Sequence, residues 1–211
     1  PMAAQNAIIA VGGMIIQSVV NGFGVIFIAG YTAANKMYGI LEMAAISFGY
    51  AMVTYVGQNL GADKPDRIRQ GVRTASLVSV LISAVICCAM LLFGRFILSG
   101  FISGTPEDAA QAMDIAFEYL SVMSLCLPVL YILHVSRSAL QGMGNTVLPM
   151  LSGVAEFIMR TGGVLLLPAI AGYSGVFYAE VLAWLGADLI LVPGYFWLIR
   201  RVEERTAQWK A

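Results

Sequence analysis

The amino-acid sequence predicts an all-α, polytopic membrane protein with six transmembrane helices, and three observations carry that prediction. Mean hydropathy is +0.82, with 59% hydrophobic and only 11% charged residues over 211 positions, against ~25% charged in a soluble domain. The charges cluster between apolar runs instead of being spread through them. The runs are continuous and far longer than the ~10 alternating residues of a spanning strand, so they read as helices of ~20 residues or more. About six spans with short connections use up the chain as one bundle.

Taken in order, the spans fall near 5–30, 37–60, 74–99, 114–140, 146–171 and 174–199. No Lys or Arg precedes Lys36, so the first run lacks the basic flank of a secretory signal, and it is too long for one. The chain starts at Pro1 and enters this span almost at once, which points to a truncated chain, although removal of an initiator Met would leave the same residue. The second span ends in Gly57, Gln58, Asn59 and Gly61, a small-xxx-small pair with two amides suited to capping a helix end and anchoring a loop. The third and fourth are joined by an acidic loop with Glu107 and Asp108, and the fifth and sixth by a nearly uncharged turn near 172–175. Pro128, Pro168 and Pro193 each remove a backbone donor inside an apolar run, so kinks are expected there. Residues 1–200 thus form a six-helix transmembrane unit and 201–211 a tail.

Orientation follows from basic residues. Segment 61–73 holds Lys64, Arg67, Arg69 and Arg73, the 137–146 connection holds Arg137, and the tail holds Arg200, Arg201, Arg205 and Lys210. Four helices lie between the first of these segments and the tail, so all fall on one side. Lys36 and Arg95 fall on the other. The Lys/Arg excess marks the cytoplasmic face, and the tail is therefore expected in the cytoplasm of a cell membrane.

Polar side chains at membrane depth are costly and mark candidate sites. Gln17 and Asn21 share a face of the first helix, where they could line a cavity or bond to another helix. Glu156 and Arg160 stand one turn apart in the fifth span, as a structural ion pair or as a carboxylate that exchanges its partner for a proton, sodium or cationic substrate. Glu180 and Asp188 lie roughly on one face of the last span, with Glu180 shallower on the outer side. His134 shows no sequence partner and reads as packed or simply hydrogen-bonded. Cys87, Cys88 and Cys126 sit in apolar stretches without metal-ligand spacing and read as inert. Tyr31, Tyr38, Tyr50, Tyr55, Tyr173 and Tyr178 lie toward span ends, as in an interfacial belt. Neither a phosphate loop nor a hydrolase or zincin motif is present. The balanced charge gives no field for nucleic acid, so neither an enzyme nor a nucleic-acid binder is expected.

Three stretches resemble the multidrug and toxic compound extrusion (MATE) family, specifically its C-terminal lobe: Ala33-Ala34-Asn35-Lys36, GQNLGADKPDRIRQGVR at 57–73, and LQGMGNTVLPMLSGVAEFIMR at 140–160. The resemblance implies a twelve-helix transporter of two six-helix lobes around a central cavity, of which this chain is one, with the N-terminal lobe as its partner. It implies secondary active antiport, a proton or sodium ion moving against hydrophobic or cationic drugs, in a prokaryotic inner membrane, with lipid around it and no cofactor. Asn35 enters as a pathway candidate through the first motif. One departure stands out. Where the NorM-like branch carries acidic cation ligands in the lobe's first and fourth helices, this sequence aligns Ile9 and Leu130. Coupling is then expected from an acidic residue of the other lobe, or else from Glu156 or Glu180. Two rival readings remain: a lipid-linked oligosaccharide flippase, which should line its bundle with more arginines than the single deep Arg160, and a non-transporting scaffold, which should have no solvated cavity.

Overall fold

The computed structural model describes residues 2–210. Six helices long and apolar enough to cross a membrane account for the chain. They are α1 (Met2–Val20), α2 (Val25–Gly61), α3 (Pro65–Leu98), α4 (Pro106–Gly142), α5 (Val147–Leu166) and α7 (Ser174–Lys210), with a one-turn helix α6 (Pro168–Ala171) after α5. Thirty-seven residues rise roughly 55 Å, so α2, α4 and α7 are each longer than a hydrocarbon core of ~30 Å. The turns at 62–64 and 143–146 and the end of α7 lie at one end of the bundle. The breaks at 21–24, 99–105 and 167–173 lie at the other.

The first boundary differs from the sequence expectation. The span expected at 5–30 ends at Val20; residues Asn21–Phe23 make a 3-10 turn, Gly24 takes φ +95°, and α2 begins at Val25 instead of near 37. Gly24 supplies a backbone conformation that L side chains rarely adopt. Because Asn21-Gly22-Phe23-Gly24 is uncharged, hydropathy runs straight through it. As a result Asn35 and Lys36 sit inside α2 and not at its start. Tyr31 and Tyr38 are likewise buried, whereas Tyr50, Tyr55, Tyr173 and Tyr178 are exposed as an interfacial belt would be.

The fourth boundary also moves. No connection begins at 137, because α4 runs unbroken to Gly142 and Arg137 points into the bundle. Removing Arg137 and Lys36 from the count of terminal charges sharpens the asymmetry. Lys64, Arg67, Arg69, Arg73, Arg200, Arg201 and Arg205 cluster at one end, and among the described residues only Arg95 lies near the other. That first end is called the basic end below. Pro128 and Pro193 are accommodated without ending α4 or α7, while Pro168 does break the chain between α5 and α6.

Helix α4 is the hub, packed against α2, α3 and α7, while α5 joins α7 to α1. Lipid tails are as apolar as leucine, so close backbone approach has to supply what the hydrophobic effect supplies in water. The seam between α2 and α4 does this with glycine. A Cβ on Gly30 would stand 2.5 Å from the Ala112 carbonyl oxygen, and one on Gly142 would stand 2.9 Å from that of Val53. Helix α1 leans on α5 and scarcely meets α2, which leaves a gap between the first two helices.

Candidate functional site

Behind that gap the bundle holds a cavity of about 320 Å³, whose charged walls come from α2 (Glu42), α4 (Arg137), α5 (Glu156, Arg160) and α7 (Glu180). The one-turn spacing expected to pair Glu156 with Arg160 does so: Arg160 Nη2 donates to Glu156 Oε1 at 3.0 Å and reaches Glu180 Oε2 at the same distance. From α4, Arg137 Nη2 donates to the other Glu156 oxygen at 2.8 Å and to Ser152 Oγ at 3.3 Å. These four charged side chains are at most 13% exposed. Three helices are thereby tied by one alternating chain of charges, Arg137, Glu156, Arg160, Glu180. Burying an unpaired ion would be far more costly than burying this chain.

Glu42 stands apart from that chain. It is half-buried on the cavity wall with Tyr38 one turn before it, and it has no ion-pair partner among the described residues. His134, one turn before Arg137, also faces the cavity. The sequence reading takes His134 as packed or simply hydrogen-bonded and places it at no site, and it misses Glu42 and Arg137 as site residues. The available signal for Glu42 was a lone carboxylate 17 residues into a helix, visible only once the helix is known to start at Val25. Arg137 was obscured by being assigned to a loop.

The other sequence candidates lie elsewhere. Gln17 Nε2 donates to Asn21 Oδ1 at 2.9 Å, and the pair is exposed where α1 ends. Asn35 is exposed on α2 and accepts from the Tyr119 hydroxyl at 3.1 Å. Asp188 faces a separate hollow lined by Leu185, Leu189, Val192 and Pro193, and its Oδ1 is buried without a hydrogen-bond partner.

The cavity is open in one direction. It shares Asn6, His134 and Arg137 with a polar vestibule of about 620 Å³, lined also by Gln141 and Thr146 at the basic ends of α4 and α5. Toward the opposite end, aromatic rings fill the bundle. Tyr38 stacks on Trp184 at 5.9 Å between centroids, Tyr31 and Phe177 meet Tyr119 edge-on at 5.0 and 5.1 Å, and Phe27 stacks on Phe177 at 6.0 Å. Such pairs add to their area burial, and Tyr119, Phe177 and Trp184 are almost wholly buried.

With this geometry in view, the comparison with known proteins is direct: the MatE family model matches residues 1–162, more than three-quarters of the chain. The chain belongs to the MatE family. The probable multidrug resistance protein YpnP of Bacillus subtilis (strain 168) is 24% identical over 177 residues, covering 83% of this chain and 39% of YpnP. The probable multidrug resistance protein YoeA of the same strain is 26% identical over 103 residues, 49% of this chain and 22% of YoeA. A MOP superfamily transporter from Pyrococcus furiosus, for which reverse polarity of the binding pocket suggests a different function, superposes with TM-score 0.80 at 18% identity. The match covers 90% of this chain and 42% of that one. The chain therefore spans less than half the length of these relatives, as one six-helix unit of a MatE transporter would. Within this MatE unit Ile9 and Leu130 border the charged cavity. The positions aligned with acidic ligands of the NorM-like branch are thus on the wall but uncharged, and the acidic groups come from α2, α5 and α7.

Proposed function

We propose that this chain is the C-terminal lobe of a cation-coupled antiporter that exports hydrophobic or cationic small molecules, with Glu42 as its exchangeable carboxylate and the C-terminal end of α7 in the cytoplasm. The observation that carries this reading is the contrast within the cavity. Glu156 and Glu180 are held by guanidinium groups at 3.0 Å or less, whereas Glu42 faces the same space without one. A proton, a sodium ion or a cationic substrate can exchange at Glu42 without dismantling the ion chain. The three cavity carboxylates exceed the two guanidiniums by one, so the cavity favours cations.

The flippase reading gains an arginine, since Arg137 joins Arg160 at depth, but both are already tied to carboxylates and neither is free for a phosphate. A polar vestibule leading to a charged cavity speaks against a scaffold. The basic end faces the cytoplasm by the positive-inside rule, which makes the open vestibule an inward-facing entrance. The N-terminal lobe would close the gap between α1 and α2.

Dye efflux from vesicles containing the full-length transporter tests this, with an imposed proton gradient compared with an imposed sodium gradient. Glu42→Gln is expected to abolish gradient-driven efflux while leaving membrane insertion and thermal unfolding unchanged. Efflux that persists at the wild-type rate in that variant removes Glu42 from the coupling step.

A further inference from the structure

On the side of α4 turned away from the charged cavity, α3 and α7 flank a second hollow of about 400 Å³, within the ~300–1,000 Å³ typical of ligand pockets. Its lining is graded along the bundle. Arg69 and Arg73 lie in the early turns of α3 at the basic end, and Leu77, Ile132, Val192 and Phe196 continue inward. Arg69 spends one nitrogen on Glu203 at 3.3 Å. Arg73 has no carboxylate partner among the described residues.

Two further observations bear on what occupies it. The Tyr195 side chain lines the hollow at 6% exposure, and its buried hydroxyl has no hydrogen-bond partner, a state that ordinarily costs stability. The level of the membrane surface can also be read beside it. Trp197 is 48% exposed with the Arg201 guanidinium 4.1 Å from its ring centroid, and an exposed tryptophan in such a setting belongs at the headgroup layer. Glu203, which holds Arg69, lies less than two turns beyond Trp197 on the same helix. The arginines therefore stand at headgroup level and the apolar floor extends into the acyl layer. Beyond the hollow, α3 exposes a row of apolar side chains at Leu77, Leu81, Val85 and Leu92, which suits the acyl chains of lipid.

We propose that this groove binds an anionic phospholipid of the leaflet at the basic end. The phosphate accepts from the Arg73 guanidinium and the Tyr195 hydroxyl, Arg69 adds a second positive charge at the mouth, and one acyl chain lies along Leu77, Ile132, Val192 and Phe196. A net negative charge distinguishes this lipid from a zwitterionic one, because the groove mouth presents two guanidiniums against the single Glu203 carboxylate.

Native mass spectrometry of the full-length transporter, titrated with phosphatidylglycerol or with phosphatidylcholine of the same chains, tests the assignment. Phosphatidylglycerol is expected to bind about tenfold more tightly than phosphatidylcholine, and Arg73→Gln is expected to remove about that factor. Arg73→Lys, which keeps the charge and controls for folding, should stay within about twofold to threefold of wild type. Val192→Trp, which fills the apolar floor, should lower phosphatidylglycerol occupancy with both arginines intact. Equal binding of the two lipids, or phosphatidylglycerol binding that neither Arg73→Gln nor Val192→Trp alters, overturns the proposal. The latter is the pattern expected if a helix from the remainder of the transporter fills the groove.

Discussion

Glu156 accepts from two arginines on two helices, so its removal is not a one-bond loss. Glu156→Gln leaves Arg137 with only Ser152 Oγ at 3.3 Å, an uncompensated charge in a low-dielectric interior, while Arg160 keeps Glu180. Breaking a buried pair from one side costs roughly 3–5 kcal/mol, whereas replacing the whole pair is often near neutral. Thermal unfolding of the purified protein should therefore fall sharply in Glu156→Gln and recover much of the loss in Glu156→Gln with Arg137→Met. A double variant as unstable as the sum of its parts would show that Arg137 and Glu156 act independently. The i, i+4 spacing made the Glu156 and Arg160 contact legible in the sequence, because both ends lie on one helix. The Arg137 and Glu180 contacts were not legible. They cross between helices, and nothing in a linear pattern fixes the relative rotation of α4, α5 and α7.

The same division between local and non-local information holds for the helices. Six spans and their order follow from apolar runs and charge clusters, yet the turn from α1 to α2 was placed too late because Asn21-Gly22-Phe23-Gly24 carries no charge. Twenty-two glycines likewise announce close packing without saying which of them sit at a seam. A Cβ on Gly57 of the small-xxx-small pair would stand 3.7 Å from the Gly142 carbonyl oxygen, an ordinary contact, and one on Gly61 would meet nothing. Gly30, by contrast, lies against the Ala112 backbone and the Ile115 side chain. Gly57→Ala is expected to change stability by less than about 0.5 kcal/mol. Gly30→Ala forces α2 away from α4 against rigid backbone and should cost roughly 1–3 kcal/mol, as overpacking does. Denaturation of the two variants side by side checks this, and equal losses would mean that the seam at Gly30 yields as readily as the one at Gly57.

The antiport proposed above requires the cavity to face the two sides in turn, and the two ends of this bundle are closed by different means. At the basic end the polar side chains of Asn6, Gln141 and Thr146 line a way in; at the other end Phe27, Tyr31, Tyr119 and Phe177 pack ring against ring, some stacked and some edge-on. Opening the second side means separating these rings, most of which bridge between helices α2, α4 and α7, whereas the entrance lies where α1 and α2 scarcely touch. The two ends therefore differ in what has to break, and the basic end is open without breaking anything. In the full-length transporter with Cys87, Cys88 and Cys126 replaced by alanine, cysteines at Asn6 and Gln141 should react with a membrane-impermeant maleimide applied from the side carrying the end of α7, and scarcely from the other. A cysteine at Tyr31, inside the ring stack, should resist the reagent from both sides unless a substrate or an ion gradient drives the protein over. Fast labelling of Gln141→Cys from the far side in the resting protein would mean that the ring stack is open by default, and that the seal lies in the proposed partner lobe.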